Sequence, residues 1–341
     1  MKRPVTLVTG FLGSGKTTLL AELLRRPDLS ETAVIVNELG EVGIDHHLLR
    51  RVDERTVLLA SGCVCCTLRG DLSDELRDLL DRADAGEIPS FRRVVVETTG
   101  VADPTPIVNT LLSDPFVPHH YALDGIVATV DGQHGLRGEA SIKQAAAADV
   151  LVVTKTDLAE PQELAMLEAE LASLNPAAPV LRAAFGDVAP ELLLGHAERA
   201  PGPLPTPVRD DHDHADDVHA VVLELDGVLD WTAFGIWLTM LLHARGTDIY
   251  RVKGLLDVGE GGPLLVNGVQ HAVHPPVHLD SWPDGERRSR LVVIGRGVNA
   301  DELAASLRVF DQTAGSRQAD IGPRRGLAAP SLEPATKVVD R

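Results

Sequence analysis

The stretch from Gly10 to Thr17, GFLGSGKT, constrains this chain more than any other, because it matches the pattern G-x-x-x-x-G-K-[ST]. The apolar, β-branched run Val5–Thr9 before it predicts a buried strand, and Thr18–Leu24 after it has helical character. A strand that enters a glycine-rich turn and opens a helix aims backbone N–H groups and the positive end of the helix dipole at an anion. The stretch therefore predicts the phosphate-binding loop (P-loop) of a nucleoside-triphosphate site.

Two side chains of this loop have predicted roles in the chemistry. Lys16 is expected to reach the β- and γ-phosphates and to act as a catalytic residue, and the Thr17 hydroxyl is expected to bind Mg²⁺. The residues predicted to hold the nucleotide phosphates are Gly10, Gly13, Ser14, Gly15, Lys16, Thr17 and Thr18.

Length and charge limit the classes of function. The 341 residues are enough for two domains, and a formal charge of −18 argues against sequence-independent binding to nucleic acid. The sequence contains no apolar run of the ~20 residues that a membrane span needs, and the N-terminus runs directly into the first strand. We therefore expect a cytoplasmic protein without a nucleic-acid or membrane partner.

Alternating strands and helices in the first part of the chain predict an α/β domain with a mostly parallel sheet. The second part predicts a smaller α+β domain, an antiparallel sheet with one face covered, in which Asp230 caps a helix and residues 263–274 form one strand. The predicted divisions are a nucleotide-binding domain at 1–200, a Pro-rich and Asp/His-rich linker at 201–218, a C-terminal domain at 219–311 and a disordered tail at 312–341.

Two further stretches of the first domain are expected near the γ-phosphate. Glu97 ends an apolar strand, where an acidic residue binds Mg²⁺ through water or orients the attacking water, and Gly100 follows with the backbone freedom that a phosphate-sensing loop needs. The polar segment Asn37–Asp45 follows another strand and corresponds to a switch loop. A solvent-facing acid and an acidic surface turn are the alternative interpretations.

Thr154-Lys155-Thr156-Asp157 follows a buried strand and resembles the guanine motif N-K-x-D. Asp157 can accept hydrogen bonds from guanine N1–H and the exocyclic amine, and the alkyl stem of Lys155 can lie along the base. Thr154 stands where Asn is usual, which weakens or reroutes one polar contact. The motif predicts GTP as the nucleotide.

The three cysteines of the chain lie together at Cys63, Cys65 and Cys66. Soft thiolates at this spacing can face one cation, which favours Zn²⁺ or another transition metal over a disulfide. A tetrahedral site needs a fourth ligand, and Glu38 or Glu41 is expected to supply it; Glu41 and Glu97 are also the candidates for a catalytic base. Buried inert cysteines or a redox dithiol are the alternatives.

A second group of metal-capable side chains lies at residues 210–219, DDHDHADDVH. The tract is equally consistent with a solvated charge run and with a weak metal-gathering loop.

Together, four of these stretches resemble the CobW family, a metal-handling branch of the P-loop GTPases: Gly10–Thr17, Asn37–Glu41, Gly62–Cys66 and Glu97–Gly100. Tyr250–Gly254 and Val292–Arg296 resemble the C-terminal domain of that family, so the likeness spans residues 4–310. The resemblance implies GTP hydrolysis with Mg²⁺, coupled to delivery of Zn²⁺ or another transition metal to a client metalloprotein. Some members of the family also carry Thr at the position of Thr154.

Two other functions remain open at this point. A small-molecule P-loop kinase would prefer ATP and would give the cysteines no role, and a metal storage or sensor protein would bind nucleotide without turnover. The physiological metal, the client and the existence of a homodimer are not decided by the sequence.

Overall fold

The structure is a computed structural model that describes residues 2–37, 57–61, 70–195, 204–205, 218–259, 261–313 and 320–321. Its first part is a parallel sheet with helices on both faces. The strands of this part are β1 (Arg3–Gly10), β2 (Thr32–Asn37), β3 (Val57–Ser61), β4 (Arg93–Glu97), β5 (Tyr121–Asp131), β6 (Val150–Thr154) and β7 (Val180–Arg182). The helices are α1 (Lys16–Leu23), α2 (Gly70–Asp84), α3 (Thr105–Ser113), α4 (Val117–His120), α5 (Gly138–Ala147), α6 (Pro161–Leu174) and α7 (Pro190–Leu193).

The seven strands lie in the order β3-β2-β4-β1-β5-β6-β7, and each pair is parallel. Their side chains alternate between two cores: Val5 and Leu7 of β1 pack with α2 and α3, whereas Val8 packs with α1. Because the strands are parallel, all their C-terminal ends lie at one edge of the sheet, with the end of β1 at its centre. The predicted α/β domain is confirmed.

Helix α5 is absent from the sequence-based prediction. Its sequence, GEASIKQAAA, places alanines where a periodic pattern of large apolar residues would otherwise mark a helix. Ala145, Ala146 and Ala147 are nonetheless buried, because small side chains allow this helix to lie close to its neighbours.

The second part of the chain is a sheet in the order β11-β10-β9-β13-β8-β14, with β12 beside β10. The strands are β8 (Val218–Asp226), β9 (Ile249–Leu256), β10 (Leu264–Val269), β11 (Ala272–Val273), β12 (Val277–His278), β13 (Ser289–Arg296) and β14 (Asp320–Ile321); the helices are α8 (Trp231–Arg245) and α9 (Ala300–Thr313). All pairings are antiparallel. Asp230 caps α8 as predicted, by accepting a hydrogen bond from Ala233 N.

Both faces of this second sheet are covered, which corrects the expectation of one covered face. Leu291 and Val293 of β13 pack with α8 and α9, whereas their neighbours Val292 and Ile294 pack against the first domain, on α5 and α6. The linker residue Leu204 is buried in the same contact, 5% exposed. The sequence pattern shows only that both sides of these strands are apolar, and not what covers them.

Two further predictions on the second part need correction. The single strand predicted at 263–274 is a hairpin, in which β10 pairs with β11 around a turn at Gln270. Gln270 takes the turn with φ of 50° and without a glycine, asparagine or proline to mark it. Asp320–Ile321, inside the predicted tail, pairs with β8. Of the helices in the described ranges, none has the length and apolar content to cross a membrane.

Candidate functional site

The P-loop lies at the central edge of the first sheet, between the end of β1 and the start of α1. Gly10, Gly13 and Gly15 have φ of 143°, 75° and 88°, conformations that favour glycine. Gly10 is also fixed by space: a Cβ there would lie 2.3 Å from Thr129 Oγ1 and 2.5 Å from the Thr129 carbonyl. The backbone therefore turns at the position and with the residues that the sequence predicts.

Lys16 is folded back over the loop. Its Nζ donates to the carbonyl oxygens of Gly10 at 2.9 Å and Phe11 at 3.1 Å. Lys16 is 8% exposed, so its charge lies in a partly desolvated position against the loop carbonyl oxygens. An ammonium held in this way needs little reorganisation to meet a phosphate.

Thr17 and Glu97 meet directly. Thr17 Oγ1 donates to Glu97 Oε1 at 2.8 Å, and Glu97 is 2% exposed at the end of β4. A hydroxyl oxygen and a carboxylate next to a phosphate-binding loop are the ligands that Mg²⁺ uses in P-loop sites. The two residues therefore fit the ion, and Glu97 does not face solvent as a mere strand end.

A group of buried hydroxyls holds the loop from below. Ser14 Oγ and Thr129 Oγ1 are 2.6 Å apart, and Thr129 Oγ1 donates to the Thr9 carbonyl at 3.3 Å. Thr98 Oγ1 donates to Thr9 Oγ1 at 2.9 Å. The sequence analysis did not identify Thr129. Its position near the end of β5, which pairs with β1, could have indicated that it lies beside the P-loop.

Thr154 ties the guanine-like motif to the P-loop. Its Oγ1 lies 2.7 Å from the Ser14 carbonyl and 3.2 Å from the Val130 carbonyl, and its side chain would lie 3.3 Å from a Cβ at Gly15. The hydroxyl contacts the loop backbone directly. Threonine thus fills the position of the usual asparagine with a polar contact of its own.

Lys155 is held by an acid that the sequence interpretation did not name. Its Nζ donates to Asp131 Oδ2 at 2.7 Å, and His134 Nδ1 lies 3.1 Å from the same oxygen. Burial opposes ionisation of Asp131, but the hydrogen bonds from Lys155, His134 and the Gln133 amide outweigh it, so the pKa of Asp131 is lowered. Lys155 has φ of 53°. Asp157 is exposed at the same edge, where it can meet a ligand.

Gly100 lies against the P-loop. A Cβ at Gly100 would come within 2.6 Å of Leu12 N, a backbone atom that cannot move aside cheaply. On its other side, Gln144 of α5 donates through Nε2 to the Gly100 carbonyl at 3.3 Å and to the Ala102 carbonyl at 3.0 Å. Gln144 was missed because its helix was missed. The structure thus places Gly100 directly against the P-loop, as the sequence suggests for a residue near the γ-phosphate.

The predicted metal ligands Glu38, Glu41, Cys63, Cys65 and Cys66 lie outside the described residues, as does the tract 210–217. Within the described ranges no group of three or more His, Cys, Asp or Glu side chains is placed to hold a metal ion. The strands that lead to the predicted ligands are described: β2 ends at Asn37 and β3 ends at Ser61, and these two residues are partners in the parallel pairing.

Comparison with known proteins agrees with this arrangement. The nucleotide-binding domain model of CobW/HypB/UreG matches residues 4–182, and the model of the cobalamin synthesis protein cobW C-terminal domain matches residues 218–310. The chain is 36% identical over 312 residues to the zinc chaperone YjiA of Escherichia coli K12, covering 89% of this chain and 96% of that protein. It is 29% identical over 338 residues to the zinc chaperone CobW of a Sinorhizobium species, covering 86% and 93%.

Among solved structures, the crystal structure of the Zn(II)-bound YjiA GTPase from E. coli superposes with a TM-score of 0.70 at 33% identity, covering 93% of this chain and all of that one. The resemblance inferred from the motifs is confirmed by the matches to both domains. The chain belongs to the CobW/HypB/UreG nucleotide-binding family and carries the CobW C-terminal domain.

Proposed function

We propose that the protein is a GTP-hydrolysing metallochaperone that binds a transition metal, zinc first, and delivers it to a client metalloprotein. The observation that carries the proposal is the pairing of Asn37 with Ser61. The chain segments with Glu38 and Glu41 and with Cys63, Cys65 and Cys66 start from these adjacent strand ends, at the edge where the P-loop lies. Relatives are named zinc chaperones, which supports zinc as the cargo.

Hydrolysis relies on positioning and electrostatics. The loop amides and Lys16 hold the phosphate oxygens and neutralise the charge that develops on the transferred phosphoryl group. Thr17 and Glu97 would hold Mg²⁺, which would supply further charge neutralisation. The hydrogen bond from Thr17 to Glu97 Oε1 supports a role of Glu97 in holding the cation. Glu41 and Glu97 both remain candidates for the base that activates water.

The preference for guanine comes from Asp157, which accepts hydrogen bonds from the nucleobase. The stem of Lys155 lies along the nucleobase, and Thr154 contacts the P-loop. The Asp131 carboxylate, ionised because its pKa is lowered, fixes the Lys155 ammonium and so the direction of its stem. Asp157→Asn should weaken the preference for GTP over ATP, because one acceptor for the guanine donors becomes a donor itself. Equal affinity of the parent protein for both nucleotides would contradict this selection, and a preference for ATP would favour the kinase alternative.

The zinc cargo is expected on the three thiolates with Glu38 or Glu41 as fourth ligand. When GTP draws in the segment that follows β2, this ligand set is complete; hydrolysis releases the segment and weakens the site. By linkage, GTP and zinc raise each other's affinity by the same factor. Zinc binding releases thiol protons, so the affinity falls as the pH falls.

A zinc competition titration tests the proposal, with a non-hydrolysable GTP analogue and with GDP. The parent should bind one zinc ion more tightly with the analogue, and Cys65→Ala/Cys66→Ala should lose that site while keeping its GDP affinity. The matched control, His212→Ala/His214→Ala, should keep the site.

Two outcomes would contradict the proposal in different ways. If the cysteine variant keeps the zinc affinity of the parent, the metal binds at another site, and the tract 210–219 is the next candidate. Identical zinc affinity with both nucleotides would leave a metal site but remove the nucleotide-driven release.

A further inference from the structure

Phe185 is exposed to solvent, and its backbone has a conformation that phenylalanine rarely adopts. Its side chain is 75% exposed, whereas Phe91 and Phe234 are buried in the two domain cores. Its φ is 54°, in the left-handed region, where a bulky residue is an outlier. Neither packing nor backbone preference explains a phenylalanine here. A strained, exposed aromatic residue at a strand end motivates a search for a ligand.

The loop that carries Phe185 is pinned to the guanine-like motif. It follows β7, and Ala183 N donates to the Val153 carbonyl at 2.8 Å. Thr156 N donates in return to the Ala183 carbonyl at 3.4 Å. Phe185 is therefore two residues from a direct contact with the segment that carries Lys155 and Asp157.

The same loop is packed on the start of α1. Gly186 has φ of 82°, and a Cβ there would lie 2.8 Å from the Thr18 carbonyl and 3.0 Å from Leu19 Cα. The backbone next to Phe185 thus touches the first turn of the helix that follows the P-loop. A nucleotide that spans the P-loop and Asp157 has its base in the neighbourhood of this ring.

We propose that Phe185 is a nucleotide-binding residue whose ring stacks on the purine base. The inference rests on the proposed function, because it takes the base to lie at Asp157. Stacking on an aromatic ring is available to every purine, whereas the hydrogen bonds to Asp157 need the N1–H and the exocyclic amine of guanine. Phe185 thus contributes affinity, and Asp157 contributes the choice between bases.

The test is a set of calorimetric titrations with GDP and with inosine diphosphate, which lacks the exocyclic amine. Phe185→Asn removes the ring but suits the left-handed backbone, so the midpoint of urea unfolding without nucleotide should stay at the parent value or rise. Its dissociation constants for GDP and inosine diphosphate should both rise about tenfold, by the same factor. Asp157→Asn should instead change the ratio between the two.

Two further variants serve as controls. Phe185→Tyr keeps the ring and should bind GDP within about twofold of the parent. Met166→Ala removes another exposed apolar side chain, 67% exposed on α6, and should bind as the parent does.

The outcomes separate this inference from the proposed function. If the parent binds GDP and Phe185→Asn binds it equally well, the ring does not stack and the inference is overturned while the GTPase site stands. If Phe185→Asn unfolds at a lower urea concentration and also binds GDP more weakly, Phe185 has a structural role and the inference is overturned. A parent that binds no guanine nucleotide would overturn the proposed function, and this inference with it.

Discussion

At the scale of single residues, Lys16 Nζ is held by the carbonyl oxygens of Gly10 and Phe11 within the P-loop. Lys16→Ala should lower kcat for GTP by about 10²–10³, because a preorganised charge on the transferred phosphoryl group is lost. Lys2→Ala, at the opposite end of β1 and exposed, is the matched control and should hydrolyse GTP at the parent rate. A folded Lys16→Ala protein with parental turnover would place the active site elsewhere.

A second prediction concerns Thr154, which connects the guanine-like motif to the P-loop. Thr154→Val keeps the shape but loses the contact with the Ser14 carbonyl, so the free energy of unfolding should fall by about 1 kcal/mol and GDP should bind more weakly. Thr110→Val removes an equally buried hydroxyl, bonded to the Pro106 carbonyl, far from the nucleotide. Thr110→Val should lose a similar free energy of unfolding and keep the parental affinity for GDP. If Thr154→Val also keeps the parental affinity for GDP, Thr154 has only a structural role.

At the scale of elements, the segment after β4 is fitted against the P-loop at Gly100. Gly100→Ala should impair GTP hydrolysis, because its Cβ meets the Leu12 backbone at 2.6 Å and must push the two loops apart. Gly235→Ala is the control: it lies within α8 with open space around the new methyl group. That change should raise the free energy of unfolding by about 0.5–1 kcal/mol and leave turnover unchanged. Parental kinetics in Gly100→Ala would mean that this contact is not used.

The success of the sequence-based prediction also differs from element to element, for physical reasons. The strands that lead to the P-loop, to Glu97 and to Asp157 lie where the sequence predicts, because they are apolar runs that are buried in the sheet. Helix α5 was missed because alanines carry little periodic signal, and with it went Gln144. The hairpin at Gln270 was missed because its turn residues are held by tertiary contacts, including a hydrogen bond from Gln270 Nε2 to Asp103 Oδ2 at 3.0 Å.

At the scale of the whole molecule, the two sheets are joined through α5 and the residues just after it. Arg251 of β9, 1% exposed, donates through Nη1 to the Ala147 carbonyl at 2.9 Å and pairs with Asp149. Asn175 donates to the Ala145 and Ala148 carbonyls, each at 2.9 Å. The same helix carries Gln144, which donates to the Gly100 carbonyl, so α5 contacts both the loop after β4 and the second domain.

His274 lies in this interface and makes it sensitive to acid. Burial is the main cause that lowers the pKa of His274, and the nearby Arg251 and Lys253 add to it while Asp149 opposes it; the result is a pKa of about 4. The unfolded chain, with an ordinary histidine near 6.5, then binds a proton that the folded protein excludes. The free energy of unfolding should therefore fall as the pH is lowered from about 6.5 to about 4, by up to roughly 3 kcal/mol.

The contribution of His274 can be separated from that of its neighbours. Despite burial, Arg251 and Lys253 lower the pKa of Asp149, so its stabilisation is present above its ordinary value of 3.8 and is lost only as the pH falls below that. Urea unfolding across the window from about 6.5 to about 4 should show a shallower dependence on pH for His274→Gln than for the parent. His243→Gln, at an exposed histidine of α8, should keep the parental slope. If His274→Gln and the parent lose stability in parallel, His274 is not excluded from protonation in the folded state and the acid sensitivity arises elsewhere.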